Sequence, residues 1–574
     1  MKKLLKFLKG YYKESIFAPT FKMLEAIFEL LVPLAVAQII DVRIANGDHK
    51  TVYLMCGVMI ALGVIGLACA LCAQYFAAKA AVGFSTKLRS ALFSHIQSFS
   101  YTATDRIGTS TLITRMTTDI NSVQTGINMF LRLFMRSPFI VFGSMIMAFT
   151  IDVKLALIFT VTIPALAIVV FGIMLISIPI YKKSQARLDG VVGKVRENYT
   201  GTRVVRAFNK EESEIREFDK RHDALTKIQL FAGRISALMN PMTYVIINLA
   251  VIILIQNGAV AVNEGSLSQG ELIALYNYMS QILVELIKLA NLIITLNKAA
   301  ASAHRVSDVL STPADIKKQA VLETVSDGSA VCFHHVSYRY HAGGDEAISD
   351  VSFTVMPGQT VGIIGGTGSG KSTLVNLIPG FYAPTSGSVL INGKNTVLYE
   401  KDELCELFAV VPQKAVLFKG TVRSNLQWGC ENADDEAIWK ALELAQAKDF
   451  IQEKELGLEE PVLQNGSNFS GGQKQRLTIA RALLKKPRFL ILDDSASALD
   501  YATEAKLRSA LAGLEDSTLF IVSQRTSSIM HADLIVVLDD GAVVGCGTHE
   551  SLLQSCEIYR EIYHSQFPEG GDSK

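Results

Sequence analysis

The nine residues Gly365-Gly366-Thr367-Gly368-Ser369-Gly370-Lys371-Ser372-Thr373 have the spacing G-x-x-x-x-G-K-[ST], a loop built to wrap phosphate. Glycines let backbone N–H groups turn inward around the phosphates, and the N-terminus of a following helix adds positive potential. Lys371 is placed to reach the β- and γ-phosphates, and Ser372 offers its hydroxyl to Mg²⁺. Further along, Phe489-Leu490-Ile491-Leu492-Asp493-Asp494-Ser495 ends an apolar run in two carboxylates. Asp493 is expected to complete the Mg²⁺ contacts through water, and Asp494 holds the position from which a general base reaches the attacking water. The chemistry these residues could perform is hydrolysis of ATP with Mg²⁺.

Such a loop needs a strand before it and a helix after it. The run 360–364 is β-like and directly precedes it, and 373–378 has a helical pattern. Further short β-like runs cover 331–340, 348–355, 388–391, 408–411, 489–492, 518–522 and 534–538, with helical stretches between several of them. Residues 331–574 are therefore expected to form an α/β domain with a largely parallel core sheet.

The preceding residues belong to a different solvent. With 49 % hydrophobic residues and a mean hydropathy of +0.30, the chain is too apolar for an ordinary soluble enzyme. Apolar stretches at 16–40, 53–80, 127–150, 155–180, 241–262 and 272–296 each reach the ~20 residues that cross a bilayer, which predicts six spans within residues 1–310. A polar linker, 311–330, would join the two domains. Lys2, Lys3, Lys6 and Lys9 before the first span, and the basic residues from Lys182 to Arg206 after the fourth, place both termini in the cytoplasm by the positive-inside rule. The start Met1–Lys9 reads as a short basic amphipathic helix on the membrane surface, its apolar stretch being broken by lysine. Between spans two and three, and between four and five, the chain stays helical and charged, so these helices should extend into the cytoplasm. The polar break Ser100-Tyr101-Thr102-Ala103-Thr104-Asp105-Arg106-Ile107-Gly108 marks a turn at the far end of the first extension.

A net charge of +1 and the lack of a basic stripe with interleaved aromatics exclude nucleic-acid binding by bulk electrostatics. The eight cysteines are scattered; Cys69 and Cys72, inside the second span, read as small buried residues rather than a redox pair.

The chain resembles half-transporters of the ATP-binding cassette (ABC) family with the exporter fold, along nearly its whole length. Asn468-Phe469-Ser470-Gly471-Gly472-Gln473-Lys474-Gln475-Arg476 is similar to the family's signature motif, which other P-loop ATPases lack. The resemblance implies that Tyr340 stacks on adenine, that Gln413 links Mg²⁺ and water to the membrane domain, and that Ser497-Ala498-Leu499-Asp500 is the D-loop. Arg115-Met116-Thr117-Thr118-Asp119 and the segment from Glu197 to Glu211 are similar to segments beside the coupling helices of exporters. It further implies that two chains pair, each ATP lying between one chain's phosphate loop and the other's Ser470, Gly471, Gly472 and Gln473.

Three positions depart from that pattern. Asp494 stands where the family has Glu, and is shorter by one methylene, about 1.3 to 1.5 Å, when a misplacement of about 1 Å can cost roughly a hundredfold in rate. Gln524 stands where the family has a His that contacts the γ-phosphate; an amide hydrogen-bonds but carries no positive charge. Gln464 replaces a Glu ahead of the signature. Asp494 and Gln524 belong to the site built on Lys371, while the signature is intact, a combination similar to the degenerate-site subunit of bacterial heterodimeric multidrug exporters. The expected function is ATP-driven export of small hydrophobic or amphipathic compounds across the cell membrane, with a second, different half-transporter as partner. A homodimeric exporter of lipid or peptide that tolerates Asp494, and an ATP-gated channel or regulator on the same fold, are the alternatives.

Ionisable residues inside the spans bear on the cargo: Lys22, Glu25 and Glu29 in the first, Arg132 and Arg136 in the third, Glu285 and Lys288 in the sixth. Charge in hydrocarbon is costly, so they face a cavity or a partner. Glu29 and Glu285 are the candidate cavity acids for a cationic amphiphile, with pairing between or within helices, or a cytoplasmic extension of the span, as the competing reading.

Overall fold

The computed structural model describes residues 2–44, 49–313, 328–341, 343–514 and 516–567. Most of the linker expected at 311–330 lies outside the described residues. The chain divides into two compact units: Met1–Gln97 with Ile107–Thr312, and Ser98–Arg106 with Pro313–Lys574.

The first unit is helical because a backbone in lipid has no other local way to satisfy its N–H and C=O groups. Among the described residues, six helices are long and apolar enough to span: Tyr12–Asp41, Val52–Gln97, Thr109–Ile151, Val153–Thr200, Glu211–Asn263 and Gln269–Ser311. A helix of 48 residues such as Val153–Thr200 is about 70 Å long, more than twice the ~30 Å hydrocarbon core, so its charged half projects beyond the membrane as expected. The sixth helix lies at the middle of the unit: 39 % of its apolar window is buried, against 6 % for the second. Its start is set by a capping box between Ser268 and Glu271 and by Asp41, which accepts from the Gly270 amide at 2.6 Å. Buried Tyr278 ties it to the first helix by donating to the Leu30 carbonyl at 2.6 Å. The lysine-rich start is a 3₁₀ helix, Lys2–Leu8, with Leu4 buried and the Phe7 ring edge-on to Phe84 of the second helix.

The second unit carries β1 (Val331–Tyr338), β2 (Ile348–Val355), β3 (Thr360–Gly365), β4 (Ser386–Ile391), β5 (Lys394–Asn395), β6 (Phe408–Val411), β7 (Gly420–Thr421), β8 (Pro461–Val462), β9 (Phe489–Asp493), β10 (Thr518–Val522), β11 (Leu534–Asp539) and β12 (Ala542–Gly547). The core sheet has the order β12-β11-β3-β10-β9-β6, parallel throughout except for β12 at its edge. A second sheet, β2-β1-β4-β5, is antiparallel. The first sheet is the largely parallel core expected from the sequence; the antiparallel one beside it is not part of that expectation. The physical mark of the difference is burial: β9 is buried at every position, whereas β2 alternates. Val331, Phe333, Ile363, Leu374 and Phe520 share the core beneath the phosphate loop.

The turn expected around residue 100 is the short helix Tyr101–Ile107. Its segment Ser98–Arg106 groups with the second unit, where Tyr101 stacks on Phe381 at 4.5 Å and the Tyr382 hydroxyl donates to Asp105 at 2.7 Å.

Candidate functional site

The phosphate loop begins as β3 ends and closes into the helix Lys371–Leu377. Gly370 turns it at φ +94°, where a Cβ would fall 2.6 Å from the Ala347 carbonyl, so only glycine fits. The Lys371 ammonium is folded into its own loop, donating to the Gly365 carbonyl at 2.9 Å and to Ser369 Oγ at 3.3 Å. Burial pulls its pKa down, against the attraction of Asp494 and Asp493. The Ser372 hydroxyl donates to Asp493 Oδ1 at 2.9 Å. Burial pushes the Asp493 carboxyl up, and Asp494 adds to the push. A lysine with too little anion around it and a carboxylate with too little cation fit a phosphate chain and a divalent metal respectively.

Asp494 and Gln524 arrive from neighbouring strands. In the parallel pair β9 and β10, Asp493 lies opposite Val522, and the Asp494 amide donates to the Val522 carbonyl at 3.1 Å. Asp494 has φ +46°, a left-handed conformation that aspartate accepts better than longer side chains. Gln413, in the exposed loop after β6, donates from Nε2 to Asp494 Oδ2 at 3.2 Å. The residues read from the sequence as one site, Lys371, Ser372, Gln413, Asp493 and Asp494, are thus brought together. Tyr340 is 42 % exposed; its ring sits edge-on to Tyr338 and Tyr382, and its hydroxyl lies 3.0 Å from Thr373 Oγ1. That leaves an aromatic platform beside the loop.

Ser470 caps the helix Gly471–Leu484: its Oγ accepts from the Gln473 amide at 3.3 Å, and its own amide donates to Gln473 Oε1 at 2.9 Å. A Cβ on Gly472 would lie 3.0 Å from the Ala498 carbonyl of Ser497-Ala498-Leu499-Asp500, whereas one on Gly471 would meet nothing within 4 Å. Gly472 is crowded by packing inside the chain, and Gly471 is exposed. Among the described residues no hydrogen bond joins Ser470–Gln473 to the phosphate loop. Gln464 is likewise exposed.

The profile of the ABC transporter transmembrane region matches residues 15–286, and that of the ABC transporter matches residues 348–497. An uncharacterized ABC transporter ATP-binding protein of Bacillus subtilis (strain 168), YfiB, is 36 % identical over 576 residues and covers 100 % of both chains. Another from Mycobacterium tuberculosis (strain ATCC 25618 / H37Rv), Rv1273c, is 37 % identical over 553 residues, covering 95 % of this chain and 94 % of its own length. This chain belongs to the ABC transporter family. A bacterial Atm1-family ABC exporter, solved with ATP bound, has the same fold, with a TM-score of 0.81 at 22 % identity over 98 % of this chain and 99 % of that one. The protein is an exporter-type half-transporter, a multi-pass membrane protein whose cytoplasmic ATPase domain binds ATP and couples it to transport.

Two features of this transporter were not visible in its sequence. Buried Glu504, on the helix Tyr501–Leu511 that follows Ser497-Ala498-Leu499-Asp500, accepts from Arg525 at 2.7 Å and also pairs with the Ser528 hydroxyl. The loop carrying Gln524 is thereby fastened to the helix Tyr501–Leu511 by residues that match no motif. The second is in the membrane unit, where Arg136 donates to Glu285 Oε1 and to Glu29 Oε2, each at 2.6 Å. Ser137 and Lys288 donate to the same Glu285 at 2.8 Å, and Lys22 pairs with Glu25 at 2.8 Å. For Glu285 the structure favours the pairing reading: it is 3 % exposed, with two cations and one hydroxyl on its carboxylate, as expected where an unpaired charge in hydrocarbon is too costly. The side chain of Glu29 is 40 % exposed and stays at the edge of this network.

Proposed function

We propose that this chain is the degenerate-site half of a heterodimeric ABC exporter that moves small amphipathic compounds of the multidrug type across the cell membrane. What supports the proposal is Asp494, next to Asp493 and met by Gln413 at 3.2 Å, together with Gln524 two residues past the strand paired with that of Asp493, beside an intact signature motif. In this site Lys371 and the loop from Gly365 to Thr373 hold the phosphates and Tyr340 stacks on the adenine. Mg²⁺, when bound with ATP, offsets charge on the phosphates, and Ser372, Asp493 and Gln413 would hold it. Asp494 is a shortened base, and Gln524 offers a neutral amide to the γ-phosphate, so ATP is retained there and hydrolysed slowly.

Fast turnover then belongs to the partner's site, which Ser470, Gly471, Gly472 and Gln473 complete. The exposed, uncrowded Gly471 suits close approach of a partner-bound phosphate to backbone N–H. Tyr199 and Phe208 flank the short helix Thr202–Ala207 and are 85 % and 71 % exposed, which suits docking on the second chain. ATP contacting both halves only in the closed state favours closure, and hydrolysis at the partner's site releases it.

An amphipathic cargo is supported by an apolar groove of about 680 Å³ between the first and third membrane helices, lined by Met23, Ile27, Phe134, Phe139, Phe142 and Met147 among others. Glu29 is the remaining acid for a cationic end. In the purified heterodimer, replacing the partner's catalytic Glu by Gln should nearly abolish turnover, and Asp494→Asn should change it little. Equal losses would sink the assignment. A stable, drug-stimulated ATPase from this chain alone would instead establish the homodimer, which Asp494, still a carboxylate in reach of Gln413, does not forbid.

A further inference from the structure

The side chain of Gln524 is exposed and, among the described residues, has no hydrogen-bond partner. Its backbone, by contrast, is gripped on both sides of Arg525. Gln566, at the end of the helix Glu557–Gln566, donates from Nε2 to the Gln524 carbonyl at 2.7 Å, and its Oε1 accepts from the Thr526 amide at 2.8 Å. One side-chain amide thus satisfies two peptide groups that no strand partner reaches. The helix delivering it is anchored: Tyr559 is fully buried among Ile364, Ile535 and Leu552, and its hydroxyl lies 2.7 Å from His549 Nδ1. The far side of the loop is held by Arg525 on Glu504 at 2.7 Å and over the Tyr501 ring at 4.6 Å.

We infer that Gln566 is a positioning residue, which sets where the Gln524 amide stands relative to the γ-phosphate of ATP bound in this chain's own site. The inference rests on the proposed role of Gln524. A neutral amide depends on direction and distance for its hydrogen bond more than a charged imidazolium would, so its backbone has to be fixed. Gln566 supplies that constraint from outside every motif, at the far end of the domain in sequence.

The test uses the full-length chain purified with its partner. Photolabelling of this chain by 8-azido-ATP, which reacts beside Tyr340, is competed by β,γ-imido-ATP or by ADP, and the ratio of the two competing concentrations measures preference for a γ-phosphate. Gln524→Ala should reduce that preference roughly tenfold, as expected for loss of a hydrogen bond to a charged group. Gln566→Met, which keeps side-chain length, should reduce it roughly three- to tenfold with little change for ADP. Gln566→Glu can still accept from Thr526 but cannot donate to the Gln524 carbonyl, and should also lose preference. The double variant Gln524→Ala/Gln566→Met should fall no further than Gln524→Ala alone.

If Gln524→Ala lowers the preference and both Gln566 variants leave it intact, the inference is wrong and the reading of Gln524 stands. Equal weakening of ADP and β,γ-imido-ATP by Gln566→Met, or additive losses in the double variant, would make Gln566 merely structural. An unaltered preference in Gln524→Ala overturns the role of Gln524 and this inference with it.

Discussion

Replacing Arg136 by Met tests the charged centre of the membrane unit. Arg136 is 7 % exposed at its side chain and holds Glu285, 3 % exposed, and Glu29, 40 % exposed. Removing one partner of a buried ion pair costs about 3–5 kcal/mol because the other charge is left without compensation. Glu285 would keep Lys288 and Ser137, both at 2.8 Å, which brings the loss to the lower end, about 3 kcal/mol. The half-exposed Glu29 adds no more than about 1 kcal/mol. At about 2 °C per kcal/mol for a large unit, Arg136→Met should lower the melting temperature by roughly 6 °C. Melting of the detergent-solubilised chain can be followed with a thiol-reactive fluorophore in a background where the other seven cysteines are replaced by alanine, so that buried Cys69 alone reports. Removing both charges in Arg136→Met/Glu285→Met should restore stability to within about 1 kcal/mol of the starting protein, since an apolar pair of similar volume replaces an ion pair at little cost. Wild-type melting of Arg136→Met, or a double variant as unstable as the single, would refute the assignment of these groups as a buried, mutually neutralising cluster.

Asp493→Asn bears on the metal position. Burial raises the folded-state pKa of Asp493 above its unfolded value, so its ionised form opposes folding, and the penalty grows as pH rises from the ordinary carboxylate value through the folded one. Without nucleotide, Asp493→Asn should melt higher than wild type at pH 7, by a margin that narrows as pH falls towards about 4, while losing the stabilisation conferred by Mg²⁺ with ATP. A lower melting temperature in nucleotide-free Asp493→Asn contradicts the burial argument. The two signature glycines should separate cleanly. Gly472→Ala forces a shift against the Ala498 carbonyl and should cost about 1–3 kcal/mol. Gly471→Ala should leave melting unchanged and lower ATPase activity of the paired chains; the reverse pattern would mean that Gly471, not Gly472, is the packing glycine.

Much of the site was legible because phosphate chemistry is written locally. The turn, the lysine, the hydroxyl and the strand ending in Asp493 are contiguous runs whose spacing is dictated by backbone geometry, so Gly365–Thr373 and Phe489–Asp493 could be read without a fold. The membrane spans were legible for a similar reason: a bilayer demands about 20 apolar residues in a row. What linear order could not carry was any contact whose members are far apart and chemically ordinary. Nothing in the sequence distinguishes Glu285, closed by Arg136 across three helices, from Glu29 at its edge, because the difference is one of burial. Nor could it tell Gly472, crowded by Ala498, from its uncrowded neighbour Gly471. The sequence by itself determined the reaction, the solvent of each half and the position of the glycine-rich loop, since those follow from residue type at short spacing. Only the tertiary structure decided which charges neutralise each other and which side chains, Glu504 and Gln566 among them, hold the loop of Gln524. Those contacts depend on packing that brings distant segments within hydrogen-bond reach.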